Sequence, residues 1–200
     1  MASKTTTSKP GRPKNRSGGK APALSAAEVK AFLHTVANRE NATRNLAFVS
    51  LLLCGCRVSE PLTITRRSVL TSKGQVADSF VLGAENTKGK QARRVQLNET
   101  ARKYLSAWVH EMKDKSEDAK VFPLAPNYAT RLVGELMKAA DLVGSSHSLR
   151  RTCATALAEG GVGIHVIQQT LGHANAQTTA VYLATSTASV AKAINNCLPW

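Results

Sequence analysis

The sequence predicts a mainly helical α+β domain with a small antiparallel sheet, carried behind a basic arm. Three observations predict it. Apolar residues recur at helical spacing in several stretches from Leu24 onward. Between residues 75 and 97 the pattern changes to two short β-rich runs around a turn. The first twenty residues hold six Lys and Arg, no acidic residue, and mostly Ser, Thr, Gly and Pro between them. Such a segment cannot bury enough apolar surface to fold alone. The expected division is therefore a disordered arm over 1–22 and a folded domain over 23–200.

The arm centres on KPGRPKNR, with Arg12, Lys14 and Arg16. This core is similar to the Gly-Arg-Pro element of AT-hooks, in which an extended chain lies in a narrow minor groove. The plainer reading is preferred: a basic leader that touches phosphates anywhere. The domain opens at Ser25 to Glu28, a capping-box pattern followed by Val29, Phe32, Leu33 and Val36 at helical spacing. A second helix, about 42–56, is apolar almost all round from Leu46 to Cys54 and should lie at the core. Arg57 emerges at its end, just past Gly55, where an arginine can stabilise the helix's last carbonyls or, with Glu60 to orient it, wait for a phosphate.

DSFVLG and ARRVQL are the expected strands, and NTKGKQ between them is turn-like, with Lys88 and Lys90 at its tip. Asn98 should cap a helix whose stripe of Ala101, Tyr104, Leu105, Trp108, Val109 and Met112 is core packing rather than a base-stacking platform. Residues 116–118 form a loop. Another helix starts at Pro126 or Asn127, with Leu132, Val133, Leu136 and Met137 inside and Arg131 and Lys138 outside. LRRTCATALAEGG is a helix closed by Gly160 and Gly161, and IHVIQQTLGH is a short one that ends by presenting His173. After Tyr182, Val190, Ile194 and Cys197 suit one face of a last helix, packed on its own domain or on a neighbour.

Composition sets outer limits. A chain of 200 residues is one ordinary domain with room for a tail. Its formal net charge of +14 and isoelectric point near 10.1 favour a polyanionic partner, which a nonspecific basic protein would share. Cys54, Cys56, Cys153 and Cys197 lack the spacing of a zinc site and are expected to be reduced thiols in a cytoplasmic protein. No apolar run approaches a membrane span and no export signal opens the chain, so no membrane role is expected.

The most informative stretch is Ser146 to Ser186, which holds His147, Arg150, His173 and Tyr182. His147 and Arg150, three apart, project from one face at a helix start, a place that favours an anion. His173 and Tyr182 are nine apart. On one straight helix that is about two and a half turns, so a break between them is required.

H-x-L-R, then L-G-H, then a tyrosine nine residues on resembles the C-terminal signature of the tyrosine recombinases, the phage-integrase family. Upstream, CGCRVSE resembles the family's first arginine box, with Arg57 and Glu60 in place. ENTKGKQARRVQL resembles its β-hairpin lysine, for which Lys88 fits the T-K-G spacing better than Lys90. The resemblance implies a site-specific recombinase acting on double-stranded DNA, with Arg57, Lys88, His147, Arg150 and His173 around a nucleophilic Tyr182. It implies a homotetramer on paired sites, with the C-terminal helix given to a neighbouring protomer. No cofactor is expected, because the phosphotyrosyl bond conserves the energy of the bond it replaces.

On this reading the chain is expected to depart from most of the family, without the separate helical domain, usually N-terminal, that clamps the other face of DNA. In size it is similar to the short recombinases that invert promoter segments. The arm, cooperative assembly or an accessory DNA-binding or recombinase partner would then supply the missing grip. Lys90, Arg131 and Arg151 join the arm as expected DNA contacts, and a nucleoid-associated cytoplasmic location follows. Two other readings share the motifs: a DNA-binding or recombinase-regulating module of the same fold with little catalysis, and a type IB topoisomerase-like relaxing enzyme. His34, His110 and His165 have no motif context and receive no role.

Overall fold

The computed structural model describes residues 21–87 and 92–172. The first helix, α1 (Ala26–Ala37), starts at the expected capping box: the Glu28 backbone N–H donates to Ser25 Oγ at 3.3 Å, and the Ser25 backbone N–H donates to the Glu28 carboxylate at 2.7 Å. Two N-terminal donors are thus satisfied locally. α1 buries Phe32 and Val36 against α2 (Ala42–Leu53), the centre of the molecule. Every residue of α2 from Asn45 to Leu52 is buried, as an all-round apolar helix requires. Phe48 packs edge-on to Phe122, ring centroids 5.3 Å apart, and truncating it to Ala should cost about 3–5 kcal/mol.

The sequence pattern extends α2 to residue 56, but the helix stops at Leu53. The reason is Gly55, whose φ of +89° lets the chain reverse in a Schellman turn: Gly55 N–H donates to the Leu52 carbonyl at 3.0 Å and Cys56 N–H to the Leu51 carbonyl at 3.1 Å. Cys54 and Cys56 are buried free thiols, and Cys153 is half-buried. A 3-10 turn at Pro61–Thr63 and the short α3 (Arg66–Val69) lead to the sheet.

β1 (Ser79–Leu82) and β2 (Arg93–Gln96) pair antiparallel, with Phe80 opposite Val95 and Leu82 opposite Arg93. These four residues are buried on one face, so β2 puts an arginine where its alternation calls for an apolar residue. The strands are one residue shorter at each end than expected, and the hairpin tip with Lys88 and Lys90 lies outside the described residues. α4 (Glu99–Glu111) is capped by Asn98, whose Oδ1 accepts from Ala101 N–H at 2.8 Å. Its stripe is core: Ala101, Leu105 and Val109 are buried, and half-buried Trp108 donates its indole N–H to the Val121 carbonyl at 2.8 Å.

α5 (Pro126–Ala139) begins with proline in its first turn and buries Leu132, Val133, Leu136 and Met137, with Arg131 and Lys138 outside. α6 (Ser146–Glu159) and α7 (Ile164–Leu171) close the described fold around a small second cluster of Ala154, Ile167 and Leu171. The result is a mainly helical α+β fold with one two-stranded antiparallel sheet among the described residues. No described helix is long and apolar enough to cross a membrane.

Candidate active site

A helix leaves its last carbonyls without intrahelical donors. At the end of α7 three consecutive ones are met by three arginines from three other elements. Arg93, in β2, donates Nη1 to the Thr170 carbonyl at 2.7 Å. Arg150, in α6, donates Nη2 to the Leu171 carbonyl. Arg57, past the end of α2, donates Nη2 to the Gly172 carbonyl at 3.1 Å. Gly172 makes this turn possible in two ways. Its φ is +63°, and a Cβ there would lie 2.6 Å from Cδ of Arg93. The glycine of L-G-H therefore has a packing role as well as a conformational one.

The end of α2 faces the same place, since the Gly55 carbonyl accepts from Arg150 Nη1 and, at 3.3 Å, from Arg93 Nη2. The reading that Arg57 caps its own helix is thereby corrected. Arg57 caps α7, and the carbonyl just past α2 is taken by Arg93 and Arg150, because the Gly55 turn points the chain away from the α2 axis.

Glu60 holds the cluster together. Its Oε1 accepts from Arg57 Nη1 at 2.8 Å, and its Oε2 accepts from the Arg57 backbone N–H at 2.7 Å and from Arg93 Nη2 at 2.6 Å. The carboxylate is 1% exposed, so the pairs are close to unscreened by solvent. Three guanidinia against one carboxylate leave a surplus of positive charge, offset in part by the negative ends of the α2 and α7 dipoles. Burial, and next the adjacent Arg57, push the Arg150 pKa down to about 10; Arg150 stays charged at neutral pH. Burial pushes the Cys56 thiol up to about 12, so it adds no counter-charge.

The Arg57 side chain remains 25% exposed. Its Nε and the second hydrogens of Nη1 and Nη2 have no partner among the described residues. The arrangement is thus a charged, partly satisfied fork at an opening, backed by a buried one, and a single oxyanion is what would complete it.

The other expected residues fall as follows. His147, at the second position of α6, is exposed, whereas Arg150, one turn on, is buried. They share a side by spacing and differ in environment because the helix enters the core between them. Ser145 caps this start, its Oγ accepting from His147 N–H at 3.3 Å. Arg151 is half-buried and donates Nη1 to the Ala21 carbonyl at 3.2 Å, tying α6 to the N-terminal stretch. Arg131 is exposed on α5, 3.5 Å from Glu135 and over the Tyr128 ring at 5.5 Å. Lys88, Lys90, His173, Tyr182, Arg12, Lys14 and Arg16 lie outside the described residues.

Arg93 is the residue that the motifs did not reveal. The signal was present: in ARRVQL an inward Val95 places Arg93 inward and Arg94 outward, because side chains alternate along a strand.

Comparison with known proteins agrees with this geometry. The phage integrase family model matches residues 22–189. Tyrosine recombinase XerC of Corynebacterium glutamicum is 32% identical over 171 residues, covering 81% of this chain and 53% of that protein. Tyrosine recombinase XerD of Rickettsia conorii is 34% identical over 195 residues, covering 86% and 62%. The chain therefore spans about half to three-fifths of the length of these curated relatives. Among solved structures, that of XerA recombinase superposes with a TM-score of 0.74 at 25% identity, over 94% of this chain and 67% of that one. The Tn1549 transposon integrase, solved in complex with transposon right end DNA, shares the fold, with a TM-score of 0.73 at 17% identity over 94% of this chain and 69% of that one.

Proposed function

Because the chain belongs to the phage integrase family, we propose that it is a site-specific DNA recombinase that breaks and rejoins strands through a 3′-phosphotyrosyl intermediate. The observation that carries this reading is the meeting of Arg57 and Arg150, 93 residues apart in sequence, on consecutive carbonyls at the end of α7. The next residue in the chain after that turn is His173.

A backbone phosphodiester is anionic and repels a nucleophile. The non-bridging oxygens are held by the free hydrogens of Arg57 and by Arg150, with His173 as a further donor. The Tyr182 oxygen then attacks phosphorus and its proton passes to His147, an imidazole exposed at the start of α6. The bond from phosphorus to the 5′-oxygen breaks, and that oxygen takes a proton from Lys88. The products are a 3′-phosphotyrosyl enzyme and a free 5′-hydroxyl, and attack by a 5′-hydroxyl of a second strand reverses the step. In this reading double-stranded DNA is the substrate, paired sites are held by a tetramer, and the basic arm adds grip through counterion release.

The test is covalent trapping on a nicked suicide duplex. Tyr182→Phe should bind the DNA and trap no protein, and undiminished trapping by that variant would remove Tyr182 from the role. Lys88→Ala should slow cleavage of ordinary DNA far more than cleavage of a 5′-bridging phosphorothiolate, whose sulfur leaves without a proton. Equal slowing of both substrates would make Lys88 a binding residue and turn attention to Lys90.

A further inference from the structure

Arg93 is the most enclosed of the three arginines, its side chain 5% exposed, and the mechanism above makes no use of it. We propose that Arg93 is a positioning residue of this site: it fixes the Arg57 and Arg150 forks in the geometry that meets the phosphate, without touching DNA itself. The inference rests on the recombinase reading of the same site.

The argument is one of reach and shape. The two terminal nitrogens of Arg93 serve three acceptors on three segments: Glu60 Oε2 at 2.6 Å, the Thr170 carbonyl at 2.7 Å and the Gly55 carbonyl at 3.3 Å. Two of those groups are shared with the phosphate-holding arginines. Glu60 also holds Arg57 by both its side chain and its backbone, and the Gly55 carbonyl also accepts from Arg150. Arg93 thus sets where both partners' anchors lie.

The fold gives up something for this. Arg93 Nε is buried with no partner among the described residues, an unsatisfied donor of the kind folded proteins mostly avoid. The Gly172 turn lies against the Arg93 stem so closely that a Cβ at 172 would stand 2.6 Å from Cδ and 3.0 Å from Nε. The stem therefore also sets the height of the turn whose carbonyl receives Arg57. In sequence, Arg93 stands five residues after Lys88, and the Gly172 turn stands directly before His173.

A residue kept only to neutralise Glu60 needs charge. A positioning residue needs the planar fork, since a lysine ammonium brings the charge on a flexible stem and cannot hold divergent acceptors in one plane.

The experiment uses the full chain as wild type, Arg93→Lys, Arg93→Ala and, as a neighbouring control on the outer face of β2, Arg94→Lys. The probe is a nicked duplex carrying the site that the wild-type chain enriches from a random-sequence pool. Three quantities are measured well below each variant's melting temperature: the duplex Kd, the single-turnover rate of covalent adduct formation at saturating DNA, and restoration of the Arg93→Ala rate by ethylguanidinium.

Arg93→Lys should lose about 30- to 100-fold in the saturating rate, the scale of a misplacement near 1 Å, with Kd within about twofold of wild type. Arg94→Lys should match wild type. Ethylguanidinium should restore at least tenfold of the Arg93→Ala loss where sodium chloride at the same ionic strength restores none. An Arg93→Lys rate within threefold of wild type would overturn the proposal, because charge would then suffice. A rise in Kd that matches the rate loss would also overturn it, because Arg93 would be a DNA contact. If the wild-type chain forms no adduct at all, the recombinase reading falls and this inference with it, a result unlike either of the others.

Discussion

At the end of α7 three arginines cluster about one carboxylate, which pairs with Arg57 and Arg93 and leaves Arg150 to carbonyls, while around α3, α4 and α5 three others each have carboxylates of their own. Arg67 pairs with Asp118 at 3.2 Å and Glu117 at 3.5 Å, Arg102 pairs with Asp78, and Arg131 lies 3.5 Å from Glu135. These outer pairs are in water, where each is worth about 0–1 kcal/mol and is screened by salt. In the inner set Arg93 and Arg150 are buried, Arg57 alone reaches an opening, and carbonyls are the main acceptors, so the positive surplus is relieved little from outside. Net charge counts both sets equally. What distinguishes a site from a basic surface is the ratio of carboxylates to guanidinia and the depth at which they meet.

The largest expected effect lies on the carboxylates. Glu60→Gln removes the one anion of the inner cluster and should cost about 3–5 kcal/mol of stability, as breaking a buried pair does. Glu135→Gln should cost less than about 0.5 kcal/mol. Urea unfolding of the two variants side by side checks this, and equal midpoints would erase the distinction between the two regions.

Glycine substitutions sharpen it. Gly172→Ala meets both an unfavourable φ and the Arg93 stem, whereas Gly161→Ala meets a positive φ of +78° and open space. Backbone strain alone is about 1–2 kcal/mol. Gly161→Ala should show only that, and Gly172→Ala should exceed it and slow cleavage as well, measured by melting and by adduct formation.

The smallest effect concerns alkaline pH. Burial raises the Cys153 thiol to about 11 and Cys56 to about 12. A thiol whose folded pKa is raised holds its proton longer in the folded state, so its contribution to stability is complete below about 9 and is lost as pH rises toward 11–12. Arg150, lowered to about 10, acts in the opposite sense above that pH. With two thiols against one arginine, stability should fall from pH 9, fall more gently above 10 and level off only near 11, where Cys56 and Arg150 oppose each other, and the early fall should shrink in Cys153→Ala.

Much of this was legible in the sequence where the determinants are local. The Ser25 box, the Asn98 cap, the apolar run of α2 and the Arg57–Glu60 spacing each act within a few residues, so pattern reading finds them. The end of α2 was misjudged because apolar residues continue through Cys56 while Gly55 alone turns the chain. The meeting of Arg57 with Gly172 spans 115 positions and that of Arg93 with Thr170 spans 77. No window contains such contacts, and only the inward phase of β2 hinted that Arg93 was a core arginine. The nature of His147 as an exposed residue beside a buried Arg150 depends on where α6 enters the core, which spacing does not encode.

The central claim is that the inner arginines neutralise the charge on the reacting phosphate. The direct measurement compares adduct formation by wild type and Arg150→Ala on two nicked duplexes, one with an ordinary scissile phosphodiester and one with a methylphosphonate, which lacks that negative charge. The account predicts a loss of about 100- to 1000-fold for Arg150→Ala on the phosphodiester and a loss of less than about tenfold on the methylphosphonate. An equal loss on both substrates would contradict it, because Arg150 would then be holding the fold rather than meeting the phosphate's charge.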